Sequence, residues 1–362
     1  MPVDELNHSL FQDVLEYVPT YNTIPIKNQT IVQSELVRSI DLFCKETCHT
    51  NFIVSLSGGV DSMVLMTILH YLNYGVIGVH INYNNRCESV LEQQFLIEWC
   101  KYNGITLYTK SIENILRKNM NRTDYETLTK RMRLDLYKEV ILKEQGKYVL
   151  LGHHKDDIVE NVFANVCRGR NIMDLAVMKK MAVIDSIHIG RPMIHIYKQV
   201  IYEFSKLYQV PFFKDTTPCW SVRGKFRNDI LPKIEDAFTT NVKDNLVGLS
   251  VQSNEWNELI YASIITPFMN KMNTHAIDNK TKIEFDIEEY IAYPHCFWNH
   301  VFVNLFNNYG YSSPSKKGIQ TMLSAVKKYR ELNDNVVHKV TLSKYCECTI
   351  HKYKVAIEFE RY

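Results

Sequence analysis

The stretch that most constrains this 362-residue chain is Ser57-Gly58-Gly59-Val60-Asp61-Ser62. It lies between an apolar run, Phe52-Ile53-Val54-Ser55-Leu56, and a segment carrying Met63, Val64, Met66, Leu69 and Leu72 at helical spacing. A short buried strand that runs through paired glycines into a helix has a direct physical use. Glycines permit left-handed backbone and close approach, while the free amides of a helix start and two serine hydroxyls donate to phosphate oxygens. Asp61, in the first helical turn, is placed to hold a Mg²⁺ that also touches those phosphates. No Gly-Lys-Ser or Gly-Lys-Thr follows, so the string is not a Walker A loop.

The surrounding chain repeats the same grammar. Apolar spacing predicts helices over 31–44, 90–102, 127–143 and 157–167, and short apolar runs predict strands over 76–81, 106–108 and 148–152. This alternation predicts an α/β fold, a doubly wound parallel sheet over about 31–235, with its ligand at the carboxyl ends of the strands. Residues 1–30 read as an N-terminal extension. Beyond Pro232, helical spacing over 236–272, 290–308 and 315–328 predicts a helical region at 236–330, and β-branched alternation over 336–342 and 348–359 predicts a small β unit at 331–362.

Composition narrows the class. No apolar run is long enough to cross a bilayer, and the start Met1-Pro2-Val3-Asp4-Glu5 lacks the features of a signal peptide, so the expectation is a cytoplasmic protein with no membrane partner. Nine cysteines without C-x-x-C spacing read as reduced thiols, not a zinc site. A formal net charge of +2 neither demands nor forbids nucleic acid, so local charge must decide.

A second cluster, Gly152-His153-His154-Lys155-Asp156-Asp157-Ile158-Val159-Glu160-Asn161, stands where a predicted strand meets a helix. Its adjacent carboxylates suit orientation of an amine or coordination of a cation, and its histidines suit contact with phosphate or ribose. A third, Arg223-Gly224-Lys225-Phe226-Arg227, reads as an extended strand whose alternate cations share one face for nucleic-acid or nucleotide phosphates, with Arg168 and Arg170 extending the stripe and Trp220 available to stack on a base.

The glycine string resembles the PP-loop of ATP pyrophosphatases, which split ATP to AMP and pyrophosphate through an adenylated substrate. The second cluster resembles the G-H-H-x-D-D-x-x-E-[TN] motif of tRNA(Ile)-lysidine synthetases and 2-thiocytidine-forming tRNA enzymes. Val79-His80-Ile81-Asn82-Tyr83-Asn84-Asn85-Arg86 is similar to the family's H-x-[DN]-H-x-L-R element, with Tyr83 at the second histidine. Glu126 to Arg133, which includes Arg131, is similar to its R-x-R-Y helix, with Leu134 at the aromatic position. Gly190-Arg191-Pro192-Met193 followed by Lys198 is shared with both families, and 214–217 with 223–232 resembles the lysidine-synthetase pattern.

This resemblance implies ATP and Mg²⁺ as cofactors, with tRNA and free lysine as partners. The implied reaction is adenylation of the wobble cytidine of an isoleucine tRNA, followed by attack of lysine. The implied ATP site is Ser57, Gly58, Gly59, Val60, Asp61, Ser62, His80 and His153; Asp61, Asp156 and Asp157 are the catalytic carboxylates, with Mg²⁺ on Asp61 and Asp157. Arg131, Glu160, Arg168, Arg191, Arg223 and Arg227 are the expected substrate contacts. A base thiolase using the same adenylation chemistry and a catalytically silent RNA-binding relative are the alternatives. The residues themselves imply only ATP, a metal and a nucleic-acid-like acceptor.

Overall fold

The computed structural model describes residues 34–84, 88–112, 121–214, 221–239, 241–277, 280–332, 337–343 and 346–360. The expected N-terminal extension, Asn85, Arg86 and Trp220 lie outside the described residues. The chain divides into two compact units, one of residues 1–170 and 175–251, the other of 171–174 and 252–362.

The first unit is built on a six-stranded sheet. Its elements run α1 (Glu35–Thr47), β1 (Asn51–Ser55), α2 (Val60–Tyr71), β2 (Gly75–Asn82), α3 (Glu88–Tyr102), β3 (Thr106–Ser111), α4 (Arg122–Glu144), β4 (Tyr148–Leu150), α5 (Lys155–Cys167), β5 (Met181–Ile184), β6 (Ile187–Gly190) and α6 (Lys198–Leu207). Strand order is β3-β2-β1-β4-β6-β5, with every pairing parallel except the β5–β6 hairpin. Phe52, Ile53 and Val54 of β1 are fully buried, as a central parallel strand covered on both faces requires. Helix α2 is buried on nearly every side, including Met63, Val64, Leu65, Met66 and Ile68, and forms the centre of the main core.

The strand order reverses direction between β1 and β4, so the loops leaving their carboxyl ends diverge and open a crevice. Those loops are the two motifs. The β5–β6 hairpin was not expected: its two-residue turn is Asp185-Ser186, both at positive φ (51° and 65°), where the strongest sequence signal for such a turn would be Asn-Gly.

After α6 come α7 (Val222–Lys225), a π-helical turn (Phe226–Ile230), α8 (Leu231–Phe238) and α9 (Val242–Ile260). The expected strand over 223–227 is therefore helical. Ser221 caps it by accepting from the Gly224 amide at 2.9 Å, a local bond that favours a helix start over an extended chain.

The second unit has α10 (Thr266–Asn270), β7 (Asn273–Ile277), β8 (Lys280–Asp286), α11 (His295–Asn308), α12 (Lys316–Leu332), β9 (His338–Ser343), β10 (Cys346–His351) and β11 (Lys354–Glu360). Its sheet has the order β7-β8-β11-β10-β9. From residue 252 on, the helical region expected at 236–330 and the small β unit expected at 331–362 come together in this unit, with β7 and β8 of the first stretch joining the sheet of the second. β8 pairs with β11 over its whole length, and Thr281, Ile283 and Phe285 alternate inward with the period of a strand, so helices and sheet share one core around Trp298, Phe302 and Phe306.

Candidate active site

At the carboxyl end of β1 the chain bends at Gly58, whose φ of +83° suits glycine. A Cβ there would stand 2.9 Å from Phe213 Cδ2, and the Phe213 amide donates to the Gly58 carbonyl at 3.0 Å, so the back of the bend is packed. The serines brace the loop. Ser62 Oγ accepts from the Ser57 amide at 3.1 Å and donates to the Gly59 carbonyl at 3.0 Å, and Ser57 Oγ accepts from the Gly59 amide at 3.3 Å. Across the crevice, a Cβ on Gly152 would stand 3.0 Å from the backbone carbon of Asp61 and 3.1 Å from the Ser62 nitrogen. The two motifs touch backbone to backbone.

Together they line one cleft of about 470 Å³ that includes Ser57, Gly59, Val60, Asp61, Ser62, Gly152, His153 and Asp157. Seven cations, Lys130, Arg133, Arg191, Lys198, Lys214, Arg223 and Arg227, face three carboxylates, Glu92, Asp61 and Asp157. Such an excess, in a concave site walled by protein, raises the local concentration of a polyanion.

The carboxylates are not equivalent. Asp61 Oδ1 is buried without a hydrogen-bond partner, and Oδ2 lies 3.4 Å from Lys198 Nζ. A hard, unsatisfied oxygen beside a phosphate-shaped loop fits a Mg²⁺ ligand. Asp157 fits less well. Its Oδ2 accepts from the His154 amide at 3.0 Å and its Oδ1 from Arg223 Nη2 at 2.7 Å, with Arg227 Nη2 at 3.5 Å, so a cation there would have to displace a guanidinium. Burial pushes the Asp157 carboxyl up, but His154, Arg223, the His154 amide and His153 outweigh it and hold the group below its usual range. Among the described residues no group of three or more His, Cys, Asp or Glu could hold a metal.

Asp156 is not among the residues lining the cleft. Its Oδ2 accepts from the Lys198 amide at 2.8 Å and its Oδ1 lies 3.2 Å from Lys243 Nζ, so it anchors the start of α6. The neighbours diverge because consecutive helical residues point about 100° apart. Glu160 accepts from Arg223 Nε and, at 3.0 Å, from Arg227 Nε. One turn apart, the two arginines share a side of the helix and meet the acid pair, while Lys225 is exposed.

Several expected contacts lie elsewhere. Arg131 is exposed and does not line the cleft; Lys130, Arg133, Leu134 and Tyr137 do, at the i, i+3, i+4, i+7 spacing of one helical face. Arg168 is exposed at the end of α5. His80 is buried behind the loop, its Nδ1 2.8 Å from the Leu56 carbonyl, and burial lowers its pKa. Arg191 lines the cleft but is only 6% exposed, donating to His153 Nδ1 at 3.0 Å and to the Lys179 carbonyl at 2.8 Å. Lys198, Phe213, Lys214, Tyr202 and Glu92 complete the cleft without having been singled out as site residues. Lys198 and Lys214 each belong to a stretch that the sequence resemblance covers, whereas Phe213, Tyr202 and Glu92 had no such signal.

The match to known proteins falls on these same residues. The family described as PP-loop domain matches residues 32–234. A tRNA(Ile)-lysidine synthase of Chlamydia trachomatis serovar L2 is 29% identical over 211 residues, 58% of this chain and 65% of that protein. One from Chlamydia muridarum is 27% identical over 231 residues, 63% and 70% of the two chains. The chain thus spans about 65% of the length of the first of these relatives. Among solved structures, the U34-tRNA thiolase NcsA from Methanococcus maripaludis has the same fold, with a TM-score of 0.51 at 19% identity over 63% of this chain and 81% of that one. A family match that begins before β1, ends after Arg227 and so encloses the whole described cleft leads to one conclusion: the chain belongs to the PP-loop domain family.

Proposed function

We propose that the chain is an ATP-consuming tRNA-modifying enzyme that adenylates a base oxygen and then lets a nucleophile displace AMP. The observation that carries this reading is the contact of the 57–62 loop with Gly152 across one basic cleft, which brings a phosphate-cradling backbone next to polar groups of the second motif. In this reading the loop amides and Lys198 hold the phosphates of ATP, with Asp61 as the protein ligand of magnesium. When bound, that ion offsets charge on the departing pyrophosphate. The base oxygen attacks the α-phosphorus, the α–β phosphoanhydride bond breaks, and pyrophosphate leaves. The nucleophile then forms a bond to the base carbon, loses a proton and releases AMP. The chain's own contribution is to orient the two reactants and to supply fixed cations where charge develops.

Two nucleophiles fit. Lysine, acting on the wobble cytidine of an isoleucine tRNA, is supported by the lysidine synthases at 27–29% identity. Sulfur is the second reading, and the fold shared with the U34-tRNA thiolase favours it. Among the described residues no cysteine lines the cleft, and in this reading a separate carrier delivers the sulfur. Purified protein given tRNA, ATP, and either labelled lysine or a labelled sulfur donor decides between them by which label enters tRNA. Asp61→Ala is expected to abolish pyrophosphate release while leaving the circular dichroism spectrum unchanged. Absence of AMP release from the wild-type protein with every tRNA and donor tested would reject the proposal.

A further inference from the structure

Arg191 was expected to touch substrate, yet two of its donors are turned inward and it is almost fully buried. A buried guanidinium has five N–H donors and no acceptor. The nitrogen it contacts, His153 Nδ1 at 3.0 Å, must therefore be an acceptor. An imidazolium, or a neutral ring with its proton on Nδ1, would set N–H against N–H at that distance. The remaining form is neutral, with the proton on Nε2.

We propose that Arg191 is a positioning residue that locks His153 in the Nε2–H tautomer, so that this histidine offers the cleft a hydrogen-bond donor and not a general base. Its partner is an acceptor oxygen of the bound reactants, on phosphate or on a base carbonyl. The inference deepens the adenylation reading, in which negative charge develops on such oxygens, but the tautomer itself does not depend on that reading. Geometry supports the lock from both sides. The Arg191 amide donates to the Lys180 carbonyl at 2.9 Å and its Nη1 to the Lys179 carbonyl at 2.8 Å, fixing backbone and side chain against the start of β5. The charged and titratable groups around the ring are Asp157 and His154 from the second motif, Arg191 beyond β6 and Arg223 from α7. Asp157 favours protonation, whereas burial, then Arg191, Arg223 and His154, oppose it and bring the ring to about 4.

Nitrogen-15 NMR of histidine-labelled full-length protein tests this, with His153→Asn identifying the resonance. The wild-type ring is expected to show the Nε2–H pattern from pH 5 to 8 and to titrate near 4. An Nδ1–H pattern, or titration in the ordinary imidazole range, overturns the proposal. Arg191→Met should release the ring to a mixture of tautomers and raise its titration midpoint, and Arg191→Lys, which keeps a donor, should restore the Nε2–H form in part. A ring unchanged in Arg191→Met also overturns it; should that variant not fold, the wild-type spectrum and Arg191→Lys still decide. For AMP release, Arg191→Met is expected to lower kcat by roughly tenfold to a hundredfold, the size seen when a partner orienting a histidine is lost, with KM for ATP within about twofold. A wild-type protein that releases no AMP would defeat the adenylation reading and leave the tautomer result standing.

Discussion

Single residues in the cleft owe their properties to what surrounds them more than to their type. His153 and His154 are adjacent in sequence, yet only His153 has Arg191 against its ring. The folded chain keeps the His153 ring neutral down to about pH 4, while an unfolded histidine takes its proton near 6.5. Between those values the unfolded state binds more protons, so stability is complete above about 6.5 and declines as pH falls towards 4, by about 3 kcal/mol for this ring alone. Urea unfolding at pH 5 and pH 7 should reveal a loss in the wild type that is smaller in His153→Asn; equal losses would count against it. Asp156 makes a different case. As an anchor for the Lys198 amide it needs only an acceptor, so Asp156→Asn should keep turnover. Asp156→Ala should cost about 1 kcal/mol and lower the melting temperature by roughly 2–4 °C. A complete loss of turnover in Asp156→Asn would restore the carboxylate to the chemistry.

Among elements, the 57–62 loop depends most on backbone form. Gly58→Ala combines an unfavourable φ with a Cβ only 2.9 Å from the Phe213 ring, and is expected to destabilise by about 1–2 kcal/mol and to weaken ATP binding, read by calorimetry. Phe213→Ala removes the clash, so Phe213→Ala with Gly58→Ala should cost less than the two separate costs added together. Strictly additive costs would mean the ring does not confine the bend. The parallel core and this loop were legible in the sequence because β1 is a continuous apolar run and its flanking helices have clear spacing. The β5–β6 hairpin was not, since Asp185-Ser186 carries no glycine, and the helical 222–230 segment was read as a strand from alternating cations whose cap, Ser221, outweighs that pattern. Arg131 shows how far a motif reaches: its spacing marked α4, but only the helical period of Lys130, Arg133, Leu134 and Tyr137 identifies the face on the cleft. Lys214 and Phe213 come from a segment whose position at the cleft depends on the bridge to Gly59, which no local pattern announces.

At the scale of the whole molecule, two compact units, each with its own main buried cluster, predict two unfolding transitions. One centres on α2 and β1, the other on Trp298 and the five-stranded sheet. Trp298→Ala should lower one transition by the roughly 3–5 kcal/mol typical of a large buried aromatic, and ATP with magnesium should raise the other. A single transition shifted by both would reject that independence. The packing of Gly152 against the backbone of Asp61 and Ser62 reaches further. Residues 63–151 supply strands, helices and cleft-lining side chains between them, but these two short strings fit as tooth and socket. Transplanting either into a different member of the fold without its counterpart should yield a protein that assembles its sheet and has lost its nucleotide seat, so the heritable unit of this site is the pair.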